Sequence, residues 1–557
     1  MRNIMASRSA CASPEFAGTA PVRWSELVTL AGFCAFFFFF GLGSVGLTGA
    51  DEPRYAQVAR EMLARHDWIT PTLGGQPWLE KPPLYYWGAM LSFRAFGVSD
   101  WAARVPSGIL ATALVFAVYG FMRRFRPGSQ LDAGLMSGSC AAVIAFGRGA
   151  STDMPLAATF AIAMLGWYGW RETERKLYLV GFYGFIGLGM LAKGPVAPFL
   201  AFFIILIYAV IARDARLMLR AVWLPGILLF CAVVLPWYLA VQRQNPEFFR
   251  VFFLQHNVAR FATGMFRHPG PIWYYAPVLL LSVLPWTVFV MLGLVRSVQE
   301  WLGPGPGAIS PEPAFPVFLL TWAAIPFVFF TLAESKLPGY ILPVAPACAM
   351  MAAELTHRRL LHGERTHVAV MTLHAMLSGA LLACVLLSPY FMLHARPPAP
   401  AMLIAIVFAA IIAAGTFISL YRHGLRVLRF VTLAPLIVGL AFLLRLGAPA
   451  VDAVHSARPL ARELEGMQTT RSETAVFHAP REVEYGLAFY REQAIRNYDR
   501  GEIPAVPHLL VARQGSQQEL QRLLAGRRVS RLGRFAPQEL EYFWVSNPSA
   551  TGHEHPH

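Results

Sequence analysis

The chain has 557 residues, of which 56% are hydrophobic, 13% aromatic and only 14% formally charged. With a mean hydropathy of +0.47, it falls among polytopic membrane proteins. The formal charge of +15 fits a membrane protein working near anionic lipid or phosphate. No basic tract interleaved with stacking aromatics lies outside the apolar runs, which excludes nucleic acid as an expected partner. Five of the six cysteines (Cys34, Cys140, Cys231, Cys348, Cys384) lie in apolar runs and Cys11 lies in the N-terminal tail, which excludes a disulfide framework or a zinc knuckle.

In chain order, about 13 apolar runs are candidate membrane spans: 24–47, 101–122, 131–147, 152–170, 177–192, 194–212, 220–242, 271–295, 314–333, 339–356, 368–392, 399–421 and 427–447. The first is too long for a signal-peptide core and lacks a small-residue cleavage site, so it is read as retained. With a cytoplasmic N-terminus, the linkers on that side each carry three positive residues, as in Arg123-Arg124-Phe125-Arg126 and Arg422 with Arg426 and Arg429. The short linkers opposite, around Arg148, Lys193, Lys336 and Arg396, carry about one each. That is the positive-inside pattern, and it places residues 51–100, 243–270 and the tail outside. The expected fold class is a polytopic α-helical membrane protein at 1–447 with a soluble α/β domain at 448–557.

Two dense polar blocks lie between the first two runs: Asp51-Glu52-Pro53-Arg54-Tyr55 and Glu80-Lys81-Pro82-Pro83-Leu84-Tyr85-Tyr86-Trp87. Charges held at one membrane surface suggest chemistry at the water–lipid boundary, whereas a transporter more often carries them in mid-span. Tyr55, Val58, Ala59, Met62 and Leu63 form one stripe, the pattern of a surface-lying amphipathic helix. Gly74-Gly75-Gln76-Pro77 reads as a turn. The linker 243–270 adds His256, Arg260, Arg267 and His268.

Arginines number 43 and lysines four. Lys81, Lys193 and Lys336 all fall at outer span ends, each followed within two residues by proline. A lysine kept in so arginine-rich a chain suggests a need for a compact ammonium, and three converging ammonium groups suit phosphate oxygens. The alternative is that each snorkels from a helix end.

The block DEPRYAQVAREML…DWITPTLGGQPWLEKPPLYYW…FG…ARVPS resembles the start of bacterial lipid A aminoarabinose transferases. These sit within the wider protein-mannosyltransferase-like family of GT-C glycosyltransferases. Further matches are Ser151-Thr152-Asp153-Met154-Pro155, Lys193-Gly194-Pro195, Leu235-Pro236-Trp237-Tyr238, His256-Asn257-Val258-Ala259-Arg260-Phe261, Leu284-Pro285-Trp286-Thr287 and Ser335-Lys336-Leu337-Pro338-Gly339-Tyr340. The resemblance runs from about 45 to 350 in preserved order. It implies an inner-membrane enzyme whose site faces the periplasm. Such an enzyme moves 4-amino-4-deoxy-L-arabinose from an undecaprenyl-phosphate carrier to lipid A phosphate groups. Related members use other polyprenyl-phosphate sugars and other acceptors.

A departing phosphate needs charge stabilisation rather than a general acid. Lys81, Lys193 and Lys336 suit that role, with Arg54, Arg260 and Arg267 as further candidates. Tyr55, Tyr85, Tyr86 and Tyr340 are further substrate-binding candidates, the last three as hydrogen-bond donors. Asp51 is the expected catalytic carboxylate, with Asp153 and Glu80 in support. The alternatives are that Asp51 and Asp153 cap helices and that Glu80 forms a local ion pair with Lys81. No cofactor is required; a divalent metal on Glu80, His256 and His268 is a further option, although their spacing matches no tight ligand motif.

The tail is expected to hold strands at 473–478, 507–512, 528–533 and 540–545, and helices at 456–466, 482–490 and 516–525. Three rival readings stay open at this point: a same-fold transferase acting on protein or polysaccharide hydroxyls, a lipid-linked-sugar transporter, and a lipid-binding scaffold.

Overall fold

The computed structural model describes residues 23–259, 270–303, 315–467 and 472–547. A helical bundle carries, at one end, a crown of two short helices and an α/β layer. The bundle begins with α1 (Trp24–Cys34), continued by a π-turn to Phe39. The crown follows at once with α2 (Asp51–Ala64), a tight hairpin of β1 (Thr72–Leu73) and β2 (Gln76–Pro77), and α3 (Leu84–Phe96). The bundle resumes with α4 (Asp100–Phe125), α5 (Gln130–Ser139), α6 (Ala141–Gly147), α7 (Asp153–Thr173), α8 (Lys176–Lys193), α9 (Val196–Ile211), α10 (Arg216–Ala221) and α11 (Leu224–Gln244). It is completed by α12 (Tyr275–Ser282), α13 (Thr287–Leu302), α14 (Phe315–Leu332), α15 (Ala345–Leu361), α16 (Val368–Met392), α17 (Ala399–His423), α18 (Leu428–Phe442) and α19 (Ala448–His455).

Among the described residues, six helical segments are long and apolar enough to cross a membrane, or seven if α12 and α13 count as one broken span. Three of the thirteen expected runs are broken rather than continuous helices. The run 131–147 splits at Cys140, whose backbone is extended (ψ 132°); the next N–H, of Ala141, goes to Leu284 O at 2.8 Å instead of up its own helix. The run 271–295 bends by 116° between α12 and α13, where Pro285 has no N–H to continue a helix. The run 24–47 leaves the helix after Phe39 and becomes an irregular loop over 41–48.

That loop is the mechanical centre of the crown. Arg104, 5% exposed on α4, donates to the carbonyls of Leu42 (2.9 Å), Val45 (2.6 Å) and Gly46 (2.7 Å). Its other two donors meet Glu52 Oε1 at 2.9 Å and Oε2 at 2.6 Å, so all five are used. Glu52 also accepts from Thr48 N, Thr48 Oγ1 and Ala150 N at 2.7, 2.9 and 2.7 Å. Burial pushes the Glu52 carboxyl up, but Arg104 and these hydrogen bonds together outweigh burial and hold it below its ordinary value. The apolar stripe of α2 meets protein rather than lipid: Tyr55, Val58, Ala59 and Met62 pack with Tyr85, Tyr86, Ala89 and Met90 of α3 and with Ala102 and Ala103 of α4.

The tail adds α20 (Arg458–Glu465), α21 (Arg481–Tyr490), α22 (Gln517–Leu523) and strands β3 (Thr474–Phe477), β4 (Arg496–Asn497), β5 (His508–Arg513), β6 (Arg528–Phe535) and β7 (Leu540–Ser546). The strands form one sheet in the order β4-β3-β5-β7-β6. The β3–β4 and β3–β5 pairs are parallel and the pairs made by β7 are antiparallel. Every expected strand and helix of the tail is present within two residues; β4, two residues long, was not expected.

A second arginine docks this layer on the crown. Arg458 donates to Asp452 Oδ2 (3.0 and 2.7 Å), Asp100 Oδ2 (2.6 Å), Gly43 O (3.0 Å) and Ser44 O (3.0 Å), again using all five donors. Gly46 N and Leu47 N donate to Asp452 Oδ1 and the Tyr490 hydroxyl at 2.8 and 2.7 Å. Gly46 must be glycine, because a Cβ there would overlap Ser456 Oγ, Asp452 Oδ1 and the Tyr490 hydroxyl.

Arg104→Lys keeps the charge but loses the fork, so carbonyls and a carboxylate are left unsatisfied in the interior. The expected cost is about 3–5 kcal/mol, by analogy with broken buried pairs, read as a lowered thermal midpoint in detergent. The native Glu52 pKa lies below its unfolded value, so the stabilisation is complete above the ordinary glutamate range and is lost as pH falls through the native value. Glu52→Gln should therefore flatten the acid limb of the stability curve. An acid limb unchanged from wild type would contradict the assignment.

Candidate active site

The first turn of α2 presents Asp51, Arg54 and Tyr55 on one face, since positions three and four apart are neighbours on a helix. The Asp51 side chain is 57% exposed and takes Arg54 Nη2 at 2.5 Å. No side chain caps α2, and none caps α7, where Asp153 stands at the first position; the capping alternative fails for both acids. Arg54 is 13% exposed and is enclosed by three rings, with its guanidinium carbon 5.0, 5.1 and 5.7 Å from the centroids of Tyr55, Trp78 and Tyr485. Its Nε and the Tyr86 hydroxyl have no hydrogen-bond partner among the described residues. Burial pulls the Arg54 guanidinium down, but Tyr55, Asp51 and Glu80 push it further up, so it stays charged.

A second group stands at the junction of α7, α8 and the 3₁₀ turn Pro338–Val344. Lys193 Nζ meets Asp153 Oδ1 at 2.5 Å and lies 4.7 Å above the Tyr340 ring. Gly339 lets the turn approach: a Cβ there would fall 2.6 Å from Asp153 Oδ1. Tyr55 links the two groups. Burial first, then the charges of Asp51 and Asp153, push its phenol up against the opposing pull of Arg54. The turn carrying Glu80 and Lys81 joins from the side, since Leu79 and Leu84 pack with Met190 and Leu191 at the end of α8.

Other candidates take different places. Tyr85 is fully buried and spends its hydroxyl on Ala103 O at 2.9 Å, so it serves packing. Lys336 is 8% exposed and donates to Ala333 O at 2.5 Å, just past the C-terminus of α14, with further ammonium protons to spare. Arg260, Arg267 and His268 lie outside the described residues, and His256 is described only in its backbone. Among the described residues no cluster of three His, Cys, Asp or Glu is arranged to hold a metal. Glu52 and Arg104 lie within the sequence blocks with no role legible from the sequence, and no local signal marks Tyr485.

The opposite end of the bundle has its own ionic layer, with Arg358 bridging Glu354 (2.5 Å) and Glu300 (3.1 Å) and Arg429 on Asp132 (3.1 Å). Charges at both ends, an apolar bundle between them and a polar centre under an α/β layer define a helical membrane protein. Comparison with known proteins agrees. Residues 80–239 match the dolichyl-phosphate-mannose-protein mannosyltransferase family. The chain is 34% identical over 342 residues to the undecaprenyl phosphate-alpha-4-amino-4-deoxy-L-arabinose arabinosyl transferase of Yersinia pestis (strain Pestoides F), a match covering 60% of this chain and 59% of that protein. It is 33% identical over 341 residues to the Serratia proteamaculans (strain 568) protein of the same name, with the same coverage. The chain thus spans 59% of the length of the curated relatives it matches. Its fold is that of ArnT from Cupriavidus metallidurans bound to undecaprenyl phosphate, with a TM-score of 0.76 at 20% identity over 96% of this chain and 100% of that one. The resemblance to the aminoarabinose transferases therefore holds in sequence and in fold.

The Lys193–Asp153 pair is mostly buried, so removing one partner leaves an uncompensated charge. Lys193→Met should lower the thermal midpoint by several degrees, for a cost of about 2–3 kcal/mol. Lys193→Met with Asp153→Asn should recover most of it. Equal losses in the single and double variants would show that the pair is not coupled.

Proposed function

We propose that this protein is an integral-membrane glycosyltransferase moving 4-amino-4-deoxy-L-arabinose from undecaprenyl phosphate to lipid A phosphate groups, with inversion at the anomeric carbon. The observation that carries the reading is the exposed Asp51 carboxylate, fixed by Arg54 and linked through Tyr55 to the Lys193–Asp153 pair. The arabinosyl transferase relatives and the undecaprenyl-phosphate-bound fold neighbour supply the substrate class. The positive-inside linkers support about thirteen crossings of the inner membrane, three of them by broken runs, with the crown and residues 448–557, a separate domain, in the periplasm.

In this mechanism the bond between the anomeric carbon and the carrier phosphate oxygen breaks, and both electrons leave with the phosphate. Lys81, Lys193 and Arg54 stabilise the charge that develops there. An acceptor phosphate is already anionic near neutral pH, so its oxygen attacks from the opposite face without a general base. Asp51 balances the oxocarbenium-like charge on the sugar or holds its ammonium. If the acceptor were a hydroxyl, Asp51 would have to take its proton.

The test is mass spectrometry of lipid A from cells that make the lipid-linked aminosugar. Wild type should add an aminopentose. Asp51→Asn should lower turnover by about 10²–10³-fold, the loss of one electrostatic stabiliser, and Lys81→Ala should also lose transfer, both at normal membrane levels. Unmodified lipid A with correctly inserted wild type would sink this reading in favour of another acceptor.

A further inference from the structure

The crown and the α/β layer enclose a cavity of about 460 Å³, within the usual size range of small-molecule sites. Its walls come from three places: Gln57 and Glu61 on α2, Trp78 after the hairpin, and Tyr485, Arg496 and Arg500 of the tail. Two of these residues, Trp78 and Tyr485, are also rings of the Arg54 enclosure. The cavity and the centre around Asp51 are therefore separated by single side chains.

The wall chemistry is that of a saccharide site. Ring faces suit the C–H faces of a pyranose. Glu61 already accepts from Gln57 Nε2 (2.9 Å), Gly74 N (2.8 Å) and Gly75 N (3.1 Å), which fixes the carboxylate as an oriented acceptor. Arg500 is held on Glu484 at 2.9 Å. Arg496 is exposed and has no ion pair among the described residues, which suits it to a phosphate. Two buried polar atoms in the walls, Gln57 Oε1 and Trp78 Nε1, have no hydrogen-bond partner among the described residues; such atoms are rare without a ligand or water to serve them.

A neighbouring cavity of about 490 Å³ also touches Trp78 but runs past Glu80 to Asn245 and Val251. There it meets the apolar cluster of Trp237, Tyr238 and Phe248, surroundings suited to a lipid-linked molecule. The cavity beneath the tail carries more charged groups, with Glu61, Glu484, Arg496, Arg500 and Glu502 in its walls.

We infer that the cavity between α2 and the tail is the subsite for the phosphorylated saccharide headgroup of the acceptor, with Tyr485 and Arg496 as its tail-side contacts. The inference rests on the transferase reading for the word acceptor, but its binding test does not. The probe is a deacylated, bis-phosphorylated glucosamine disaccharide, titrated by saturation-transfer NMR against the full chain in detergent. Wild type and Asp51→Asn should bind it saturably. Arg496→Glu, at an exposed position that leaves folding intact, should weaken binding at least tenfold. Tyr485→Ala should do the same and Tyr485→Phe should restore it. No saturable binding by wild type, or equal binding by Arg496→Glu, would overturn the subsite. Transfer assays separate the two readings. Transfer by wild type with an unaltered acceptor KM in Arg496→Glu would overturn the subsite and leave the transferase. The expected binding pattern without transfer would support the subsite and count against the transferase.

Discussion

The crown depends on one loop held by two arginines. Residues 42–46 have no regular structure to satisfy their carbonyls, and five of those carbonyls are met by side chains. Arg104 takes Leu42, Val45 and Gly46 from the bundle side; Arg458 takes Gly43 and Ser44 from the tail side. Each then closes on carboxylates, Arg104 on Glu52 and Arg458 on Asp100 and Asp452. A lysine in either place would offer three donors where five are used. Burying a guanidinium is expensive unless every proton is accepted, and here every proton is.

This clamp decides how α2 presents its chemistry. Consecutive residues on a helix differ by about 100° in direction. Drawing Glu52 inward onto Arg104, Thr48 and Ala150 therefore sets the rotation of the helix. Asp51, Arg54 and Tyr55 then face the start of α7 and the end of α8. The site is built from helix ends: α2, α7 and α8 each deliver a charged side chain at a terminus, and a turn with glycine at 339 closes the space between them. The tail belongs to the same construction, because Arg60 donates to the Ala488 and Phe489 carbonyls (3.2 and 3.0 Å) and Tyr485 completes the enclosure of Arg54.

Much of this was legible in the sequence. The short apolar strands of the tail between amphipathic helices, the stripe on α2 and the helical runs reflect local pattern, which survives folding. The blocks around Asp51, Glu80, Asp153, Lys193 and Lys336 were visible as polar residues pressed against apolar runs. What stayed hidden depends on contacts distant in sequence. Asp51 and Glu52 are adjacent acids, and nothing local says which turns inward; the answer comes from Arg104, 52 positions away. Arg104 itself sits near the start of an apolar run, where a lone arginine reads as snorkelling. The break at Cys140 carries no proline, and it arises because Ala141 donates to Leu284. Tyr485 reaches the site through the docking of the layer that holds it, by Arg458, Arg60 and Tyr490.

The most direct test of the central claim is a double-mutant cycle on Glu52→Gln and Arg104→Gln, measuring sugar transfer per folded molecule. If the pair sets the direction of α2, each single variant should lose at least tenfold. The double variant should be no worse than the poorer single one, a coupling of at least about 1.4 kcal/mol. Losses that simply multiply would show that the two residues act independently and that the orientation of Asp51 does not rest on their pairing.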